Sequence, residues 1–187
     1  MSAIQFIEQV GDKFQITKAA SEFLSKIRTP VSVVCVAGPY RSGKSFLLNR
    51  LIGQQQGFAV AGSTRSCTRG IWMWGAPVMY QGRTFLFLDS EGLGSVQQSQ
   101  TFDTSIFSLS MLLSSTFVLN TTGWHASDLL LKLGAISENN IEQLDLVVQC
   151  TKQIRIDDKE EKSTSTSRLA QLFPRFLWCL RDFSLQV

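Results

Sequence analysis

The segment from residue 31 to residue 53 constrains the fold more than any other part of the 187-residue chain. It begins with an apolar, β-branched run, VSVVCVAG (31–38), and continues through a glycine loop, GPYRSGKS (38–45). The spacing of apolar residues then becomes helical in SFLLNRLIG (45–53). Because a continuous apolar run is typical of a strand buried on both faces of a parallel sheet, this segment predicts a strand, a loop and a helix in immediate succession.

Apolar runs and helical patterns alternate along the rest of the chain. The expected strands are 71–74, 83–92, 116–120 and 175–183, with a turn near Gln81–Gly82 pairing the first two in antiparallel fashion. The expected helices are 17–28, 104–115, 126–137 and 140–154, and the polar stretch 157–168 is an expected exposed loop. This alternation predicts an α/β fold of three layers, in which helices cover both faces of a mostly parallel central sheet.

Composition and charge exclude several classes of protein. Hydrophobic residues make up 44% of the chain and the net charge is only +3, so a nucleic-acid partner is not favoured. Four cysteines, at positions 35, 67, 150 and 179, lie far apart, and with a single histidine they form no zinc-site spacing. We expect reduced thiols in a cytoplasmic protein. No run of 18 apolar residues is present, so no transmembrane segment is expected.

The glycine loop has the pattern G-x-x-x-x-G-K-S, which is typical of a phosphate-binding loop and of the P-loop NTPase fold. Backbone N–H groups and the helix N-terminus would face the anion, while Gly38 and Gly43 allow close approach and bending. Lys44 would meet the β- and γ-phosphates, and Ser45 would offer its hydroxyl to Mg²⁺. The alternative interpretation is a glycine turn that carries a surface lysine.

Asp89 and Gly92 form a second element, at the end of the apolar run FLFLDSEG. An aspartate at the carboxyl end of a strand lies where α/β sheets bind ligands, so Asp89 could hold Mg²⁺ through water. Gly92 completes the D-x-x-G spacing of a γ-phosphate sensor, although Asp89 could instead be a simple strand-end turn residue. Thr68, in the intervening loop, is either a ligand of Mg²⁺ or a solvated loop residue.

The residues by themselves do not identify the base of the nucleotide. Leu93 stands where small GTPases commonly carry a glutamine, and no N-K-x-D or T-K-x-D pattern is present. The local patterns therefore predict a P-loop nucleotide hydrolase with the base left open.

The chain resembles the guanylate-binding proteins, large GTPases of the dynamin superfamily that are related to atlastins. The resemblance is carried, in order, by PVSVVCVAGPYRSGKSFLLNRL, STRSCTRGIWMWG, FLFLDSEGLG, SIFSLSMLLSSTFVLN and FPRFLWCLRDFSL. It implies a GTPase that uses Mg²⁺, binds GTP and GDP, and forms a nucleotide-dependent homodimer.

The resemblance also implies roles for individual residues. Arg41 would be an arginine finger supplied in cis, while Ser66, supported by Glu91, would activate the attacking water. Thr68 would bind Mg²⁺, and Arg181–Asp182 would read guanine in place of N-K-x-D. The phosphate-binding set would comprise Gly38, Tyr40, Arg41, Ser42, Gly43, Lys44, Ser45 and Gly92.

Family members continue well beyond the position that corresponds to Val187, which lies five residues after Asp182. We therefore expect residues 1–187 to be a GTPase domain that is truncated before the guanine-cap region and the helical domain. Any association with a membrane would then depend on regions absent here. Two main functions stay open: a GTPase stimulated by dimerisation, and a nucleotide-dependent interaction module with little turnover. An ATP-using P-loop enzyme is disfavoured by LRDF.

Overall fold

The computed structural model of the chain describes residues 2–59, 70–90, 100–122, 145, 148–149 and 173–181. The strands are β1 (Ala3–Val10), β2 (Lys13–Ile16), β3 (Val31–Ala37), β4 (Ile71–Trp74), β5 (Val78–Tyr80), β6 (Arg83–Ser90), β7 (Thr116–Thr122) and β8 (Arg175–Arg181). The helices are α1 (Lys18–Leu24), α2 (Lys44–Leu51) and α3 (Gln100–Leu112).

The strands form one sheet in the order β2-β1-β4-β6-β3-β7-β8, and β5 pairs with β6 beside this path. Strands β6, β3, β7 and β8 are parallel neighbours, whereas β4 and β5 both run antiparallel to β6. The carboxyl ends of the four parallel strands therefore meet at one edge, which is where ligands bind in open α/β sheets. The predicted α/β fold with a mostly parallel central sheet is confirmed.

Successive residues of β3 face opposite sides of the sheet, as strand geometry requires. Cys35 and Ala37 belong to the hydrophobic core that includes α1 and α3, whereas Val36 belongs to the core that includes Leu48 of α2. All four of these side chains are at most 1% exposed. Because both faces are buried, a continuous apolar run is needed, and the predicted placement of helices on both faces of the sheet is confirmed.

The core beneath α3 is aromatic. Phe107 of α3 and Phe117 of β7 meet edge to face, with their ring centroids 5.2 Å apart. Such a pair adds about 0.5–1.5 kcal/mol to the stabilisation from area burial. In the same core, burial raises the pKa of the Cys35 thiol to about 12, although a hydrogen bond with Ser110 acts in the opposite direction. Cys35 and Cys179 are both free thiols.

Several element boundaries differ from the sequence predictions. The pattern did not indicate β1 and β2, which form a hairpin whose outer strand is largely exposed and so lacks a continuous apolar run. The turn at Gln81–Gly82 joins β5 to β6, although β4 does pair antiparallel with β6 as expected. The first helix is shorter than 17–28, since it begins after the N-cap Thr17 and ends at Leu24.

The expected helices 126–137 and 140–154 and the expected loop 157–168 lie outside the described residues, apart from helical residues at 145 and 148–149. In the part of the chain that is described, no helix has the length and apolarity needed to cross a bilayer.

Candidate functional site

The glycine loop connects the carboxyl end of β3 to the amino end of α2, at the sheet edge where parallel strands end. Gly38 has φ 145°, and a Cβ added there would overlap the backbone oxygen of Asn120 in β7 and lie 3.1 Å from its carbonyl carbon. The loop therefore crosses β7 at a distance that only glycine permits.

Two further residues of the loop adopt positive φ. Gly43, the N-cap of α2, has φ 83°, and Arg41 has φ 63°. A left-handed non-glycine residue is uncommon, and such conformations cluster at ligand sites. These turns lead directly into the N-terminus of an eight-residue helix, where unsatisfied N–H groups and the helix dipole favour an anion.

Lys44 is only 7% exposed, which is unusual for a lysine. Its Nζ donates a hydrogen bond of 2.9 Å to the carbonyl oxygen of Pro39 within the loop. An ammonium group has three donors, so the same group can hold the loop and also meet a phosphate. The arrangement places a buried positive charge inside the loop.

Ser45 and Asp89 lie side by side, although 44 residues separate them in sequence. The Ser45 Oγ donates to Asp89 Oδ2 at 2.5 Å, and Asp89, at the carboxyl end of β6, is 1% exposed. A hydroxyl and a carboxylate are hard oxygen donors of the kind that Mg²⁺ prefers. Among the described residues no group of three or more acidic, thiol or imidazole side chains could hold a metal ion. Mg²⁺ ordinarily needs only one or two carboxylates besides phosphates and water, so this pair fits it.

Arg41 lies at the tip of the loop and is exposed. Its Cζ is 5.7 Å from the centroid of the Tyr40 ring, within the range of a cation–π contact. The guanidinium is thus held beside an aromatic ring at the mouth of the site.

Arg181, at the end of β8, also reaches the loop. Its Nη1 donates to the carbonyl oxygens of Ser42 at 3.2 Å and Gly43 at 3.4 Å, and its Cζ lies 5.6 Å from the Phe46 ring centroid. A Cβ on Gly43 would overlap Nη1. A side chain at position 43 would therefore displace this guanidinium.

Asn120, at the carboxyl side of β7, is a site residue that the sequence analysis did not single out. Its Nδ2 donates to the Ser42 carbonyl oxygen at 2.7 Å and to Ser42 Oγ at 3.2 Å. The residue is 0% exposed. A signal was available, because Asn120 is a polar residue that follows an apolar strand, the same pattern that singled out Asp89.

The structure thus brings together Gly38, Tyr40, Arg41, Ser42, Gly43, Lys44, Ser45, Asp89 and Arg181. The remaining predicted site residues, Ser66, Thr68, Glu91, Gly92 and Asp182, lie outside the described residues. Their roles in water activation, metal binding, phosphate sensing and guanine recognition stay predictions.

The sequence of the chain is similar to one family of known proteins. A family model described as "Guanylate-binding protein, N-terminal domain" matches residues 11–187. The chain is 37% identical to guanylate-binding protein 4 of Homo sapiens over 191 residues, which cover 100% of this chain and 28% of that protein. It is also 37% identical to human guanylate-binding protein 1, with 97% of this chain and 30% of that protein covered.

The chain thus spans less than a third of the length of these curated relatives. Among solved structures, Toc33 from Arabidopsis thaliana aligns with a TM-score of 0.46 and 15% identity, covering 87% of this chain and 78% of that one. The family match covers nearly the whole chain, and the chain therefore belongs to the guanylate-binding protein family, whose N-terminal domain it matches.

Proposed function

We propose that the chain is a GTPase domain, formed by residues 1–187, that binds GTP with Mg²⁺ and hydrolyses it. The observation that carries this proposal is the buried Lys44 and the Ser45–Asp89 pair at the N-terminus of α2, in a chain of this family. Together they supply a positive charge and hard oxygen donors beside the N–H groups of a helix start. A triphosphate bound with Mg²⁺ needs all three, because the positive charge and the N–H groups contact the phosphates and the oxygen donors contact the metal ion.

The loop backbone and Lys44 bind the phosphates in this proposal. Gly43 lets the chain turn into α2, so that the N–H groups at the start of the helix face the anion. Lys44 is already held by the Pro39 carbonyl oxygen, which limits its freedom before the nucleotide arrives. Less conformational entropy is then lost on binding, and affinity benefits.

Ser45 and Thr68 are the residues that would hold Mg²⁺ directly, with Asp89 holding it through water. Once bound, Mg²⁺ would neutralise part of the negative charge on the phosphate oxygens. Asp89 also orients Ser45, because its carboxylate accepts a hydrogen bond from the Ser45 hydroxyl.

Arg41 acts as the arginine finger in this proposal. It is exposed at the loop tip, and its contact with Tyr40 keeps it near the mouth of the site. An exposed guanidinium is well solvated and therefore weak as an electrostatic catalyst until water is excluded. A second GTPase domain placed over the loop would exclude water, so we propose that a homodimer stimulates turnover. A finger of this kind contributes roughly 10³–10⁵ in rate.

The water-activating and base-reading steps are assigned to residues carried over from the family resemblance. Ser66, supported by Glu91, would position the attacking water, and Gly92 would sense the γ-phosphate. The Asp182 carboxylate would accept hydrogen bonds from guanine N1–H and the exocyclic amine, which adenine cannot offer. Arg181, the neighbour of Asp182, would help to bind the base.

The test is GTP turnover at two protein concentrations, measured together with nucleotide-binding titrations. Arg41→Ala is the variant, and Arg50→Ala is the matched control, since Arg50 is another exposed arginine beside an aromatic ring, with its Cζ 5.1 Å from the Phe46 centroid. We expect turnover per molecule to rise with concentration, to fall by roughly 10³-fold or more in Arg41→Ala, and to persist in Arg50→Ala.

Each other outcome has a distinct meaning. Nucleotide binding without turnover in the unmodified chain would favour the nucleotide-dependent interaction module. Turnover that is equal in the two arginine variants would refute the role of Arg41. Absence of binding to any guanine nucleotide would refute the proposed function as a whole.

A further inference from the structure

Two side chains from neighbouring strands converge on one carbonyl group of the phosphate loop. The oxygen of Ser42 accepts from Asn120 Nδ2 at 2.7 Å and from Arg181 Nη1 at 3.2 Å. Asn120 comes from β7 and Arg181 from β8, which are parallel neighbours in the sheet. A carbonyl oxygen has two lone pairs, so these two donors use its full accepting capacity.

The orientation of the Asn120 amide follows from its neighbours. A backbone carbonyl oxygen can only accept, so the side-chain atom 2.7 Å from the Ser42 oxygen must be the NH₂ group. In the opposite orientation two oxygens would face each other at that distance and repel.

Holding the Ser42 carbonyl also orients the next N–H group. The peptide unit is planar and trans, so the N–H of Gly43 points opposite to the C=O of Ser42. Because that C=O is directed at Asn120 and Arg181, the N–H of Gly43 is directed away from both. Gly43 lies between the loop tip and Lys44. In the G-x-x-x-x-G-K-S pattern, the backbone N–H groups of this part of the loop face the phosphates.

Asn120 contributes through this donation and not through apolar packing. The residue is 0% exposed, and its Oδ1 is buried without a hydrogen-bond partner among the described residues. A buried polar atom with no partner destabilises a fold, and an apolar side chain would avoid that loss. The two hydrogen bonds that Nδ2 donates to Ser42 offset this loss of stability.

We infer that Asn120 is a positioning residue that, together with Arg181, holds the Ser42–Gly43 peptide in its phosphate-binding orientation. The inference rests on the proposed function, because it concerns the same site. It assigns Asn120 a role in nucleotide binding and gives Arg181 a second role, toward phosphate, beside the base contact. Asn120 and Arg181 should therefore affect binding of the phosphate chain whether or not a base is attached.

The experiment compares two ligands on the full chain in the presence of Mg²⁺: a non-hydrolysable GTP analogue and inorganic tripolyphosphate, which has no base. The variants are Asn120→Ala, Arg181→Ala and the double variant. Thr121→Val is the matched control, since Thr121 is also 0% exposed in β7 and its Oγ1 accepts from Trp178 Nε1 of β8 at 3.0 Å. It removes a β7–β8 hydrogen bond that does not involve the loop. Thermal melts of every variant establish that binding is measured on folded protein.

We expect each single substitution to weaken the binding of both ligands by about tenfold, because each removes one of the two donors to the Ser42 carbonyl oxygen. The double variant should lose less than the product of the two single effects, because both side chains act on one carbonyl. Thr121→Val should bind both ligands like the unmodified chain. If Asn120→Ala does not fold, Arg181→Ala still tests the inference, since Arg181 is only half-buried at the strand end.

If Asn120→Ala and Arg181→Ala bind tripolyphosphate like the unmodified chain, the inference is overturned. The proposed function, GTP binding by the chain, would not be affected by that result. An equal loss in Thr121→Val would overturn the inference too, because the effect would then be one of general strand stability. An unmodified chain that binds neither ligand would overturn both the inference and the proposed function.

Discussion

Replacing Gly38 by alanine tests how closely the glycine loop crosses β7. Gly38 combines two features: a φ of 145°, and a position in which an added Cβ would overlap the backbone oxygen of Asn120. The overlapped atom belongs to a strand paired on both sides, with β3 and β8. It cannot rotate away as the end of a flexible side chain would. The substitution therefore forces either the loop or the strand to move.

Both features contribute to the expected loss of stability. A non-glycine residue held in a sparsely populated backbone region costs about 1–3 kcal/mol. Overpacking by one methyl group in a close-packed region costs a further 1–3 kcal/mol or so. We expect Gly38→Ala to lower the free energy of unfolding by about 2–6 kcal/mol in total. In a chain of this size each kcal/mol lowers Tm by about 2–4 °C.

The assay is urea denaturation monitored by tryptophan fluorescence, with Gly82→Ala as the control. Gly82 also has a positive φ, 74°, but a Cβ there would meet nothing within 4 Å. The control measures the cost of a positive φ without any overlap, about 1–2 kcal/mol for a left-handed residue. Gly38→Ala that is no more destabilising than Gly82→Ala would refute the close approach of the loop to Asn120.

Three further predictions concern other contacts. Ser45→Ala removes the hydroxyl beside Asp89. It should weaken nucleotide binding more than about tenfold when the titration contains Mg²⁺, but little when it contains EDTA. Equal losses in the two titrations would contradict this. Asn49→Ala leaves the backbone N–H and C=O groups of Phe58 without their partner. It should lower the free energy of unfolding by about 1–3 kcal/mol for each group. An unchanged midpoint of urea denaturation would count against this prediction. The pKa of Cys35 is raised from 9.0 to about 12, so its neutral thiol contributes stability that is complete below pH 9 and is lost as the pH rises toward 12. Stability measured across that range should decline less in Cys35→Ala than in the unmodified chain, and parallel curves would contradict this.

The strand–loop–helix unit was predictable because its signals are local. The apolar run of β3, the glycines of the loop and the helical spacing after Ser45 lie within consecutive residues, and each reflects the conformation of its own segment. The fold class followed from the alternation of such units. The β1–β2 hairpin was not predicted, because its outer strand packs on one neighbour only and carries no long apolar run.

Part of the candidate site was also readable from local patterns. Lys44, Ser45 and Asp89 belong to motifs with a recognised spacing, and the structure places the last two within hydrogen-bond distance. The role of Arg41 was not readable from the pattern by itself. Its assignment as a finger came from the family resemblance and stays a prediction.

The sequence by itself determined that the segments on either side of the glycine loop are a strand and a helix, and which motif lies between them. Only the tertiary structure decided what supports that motif. Asn120 and Arg181 stand 78 and 139 residues away from Ser42 along the chain, yet both donate to the same carbonyl oxygen. They do so because parallel pairing of β3, β7 and β8 brings the carboxyl ends of these strands to one edge of the sheet. No local pattern records such a meeting, since it depends on strand order and register across the whole sheet.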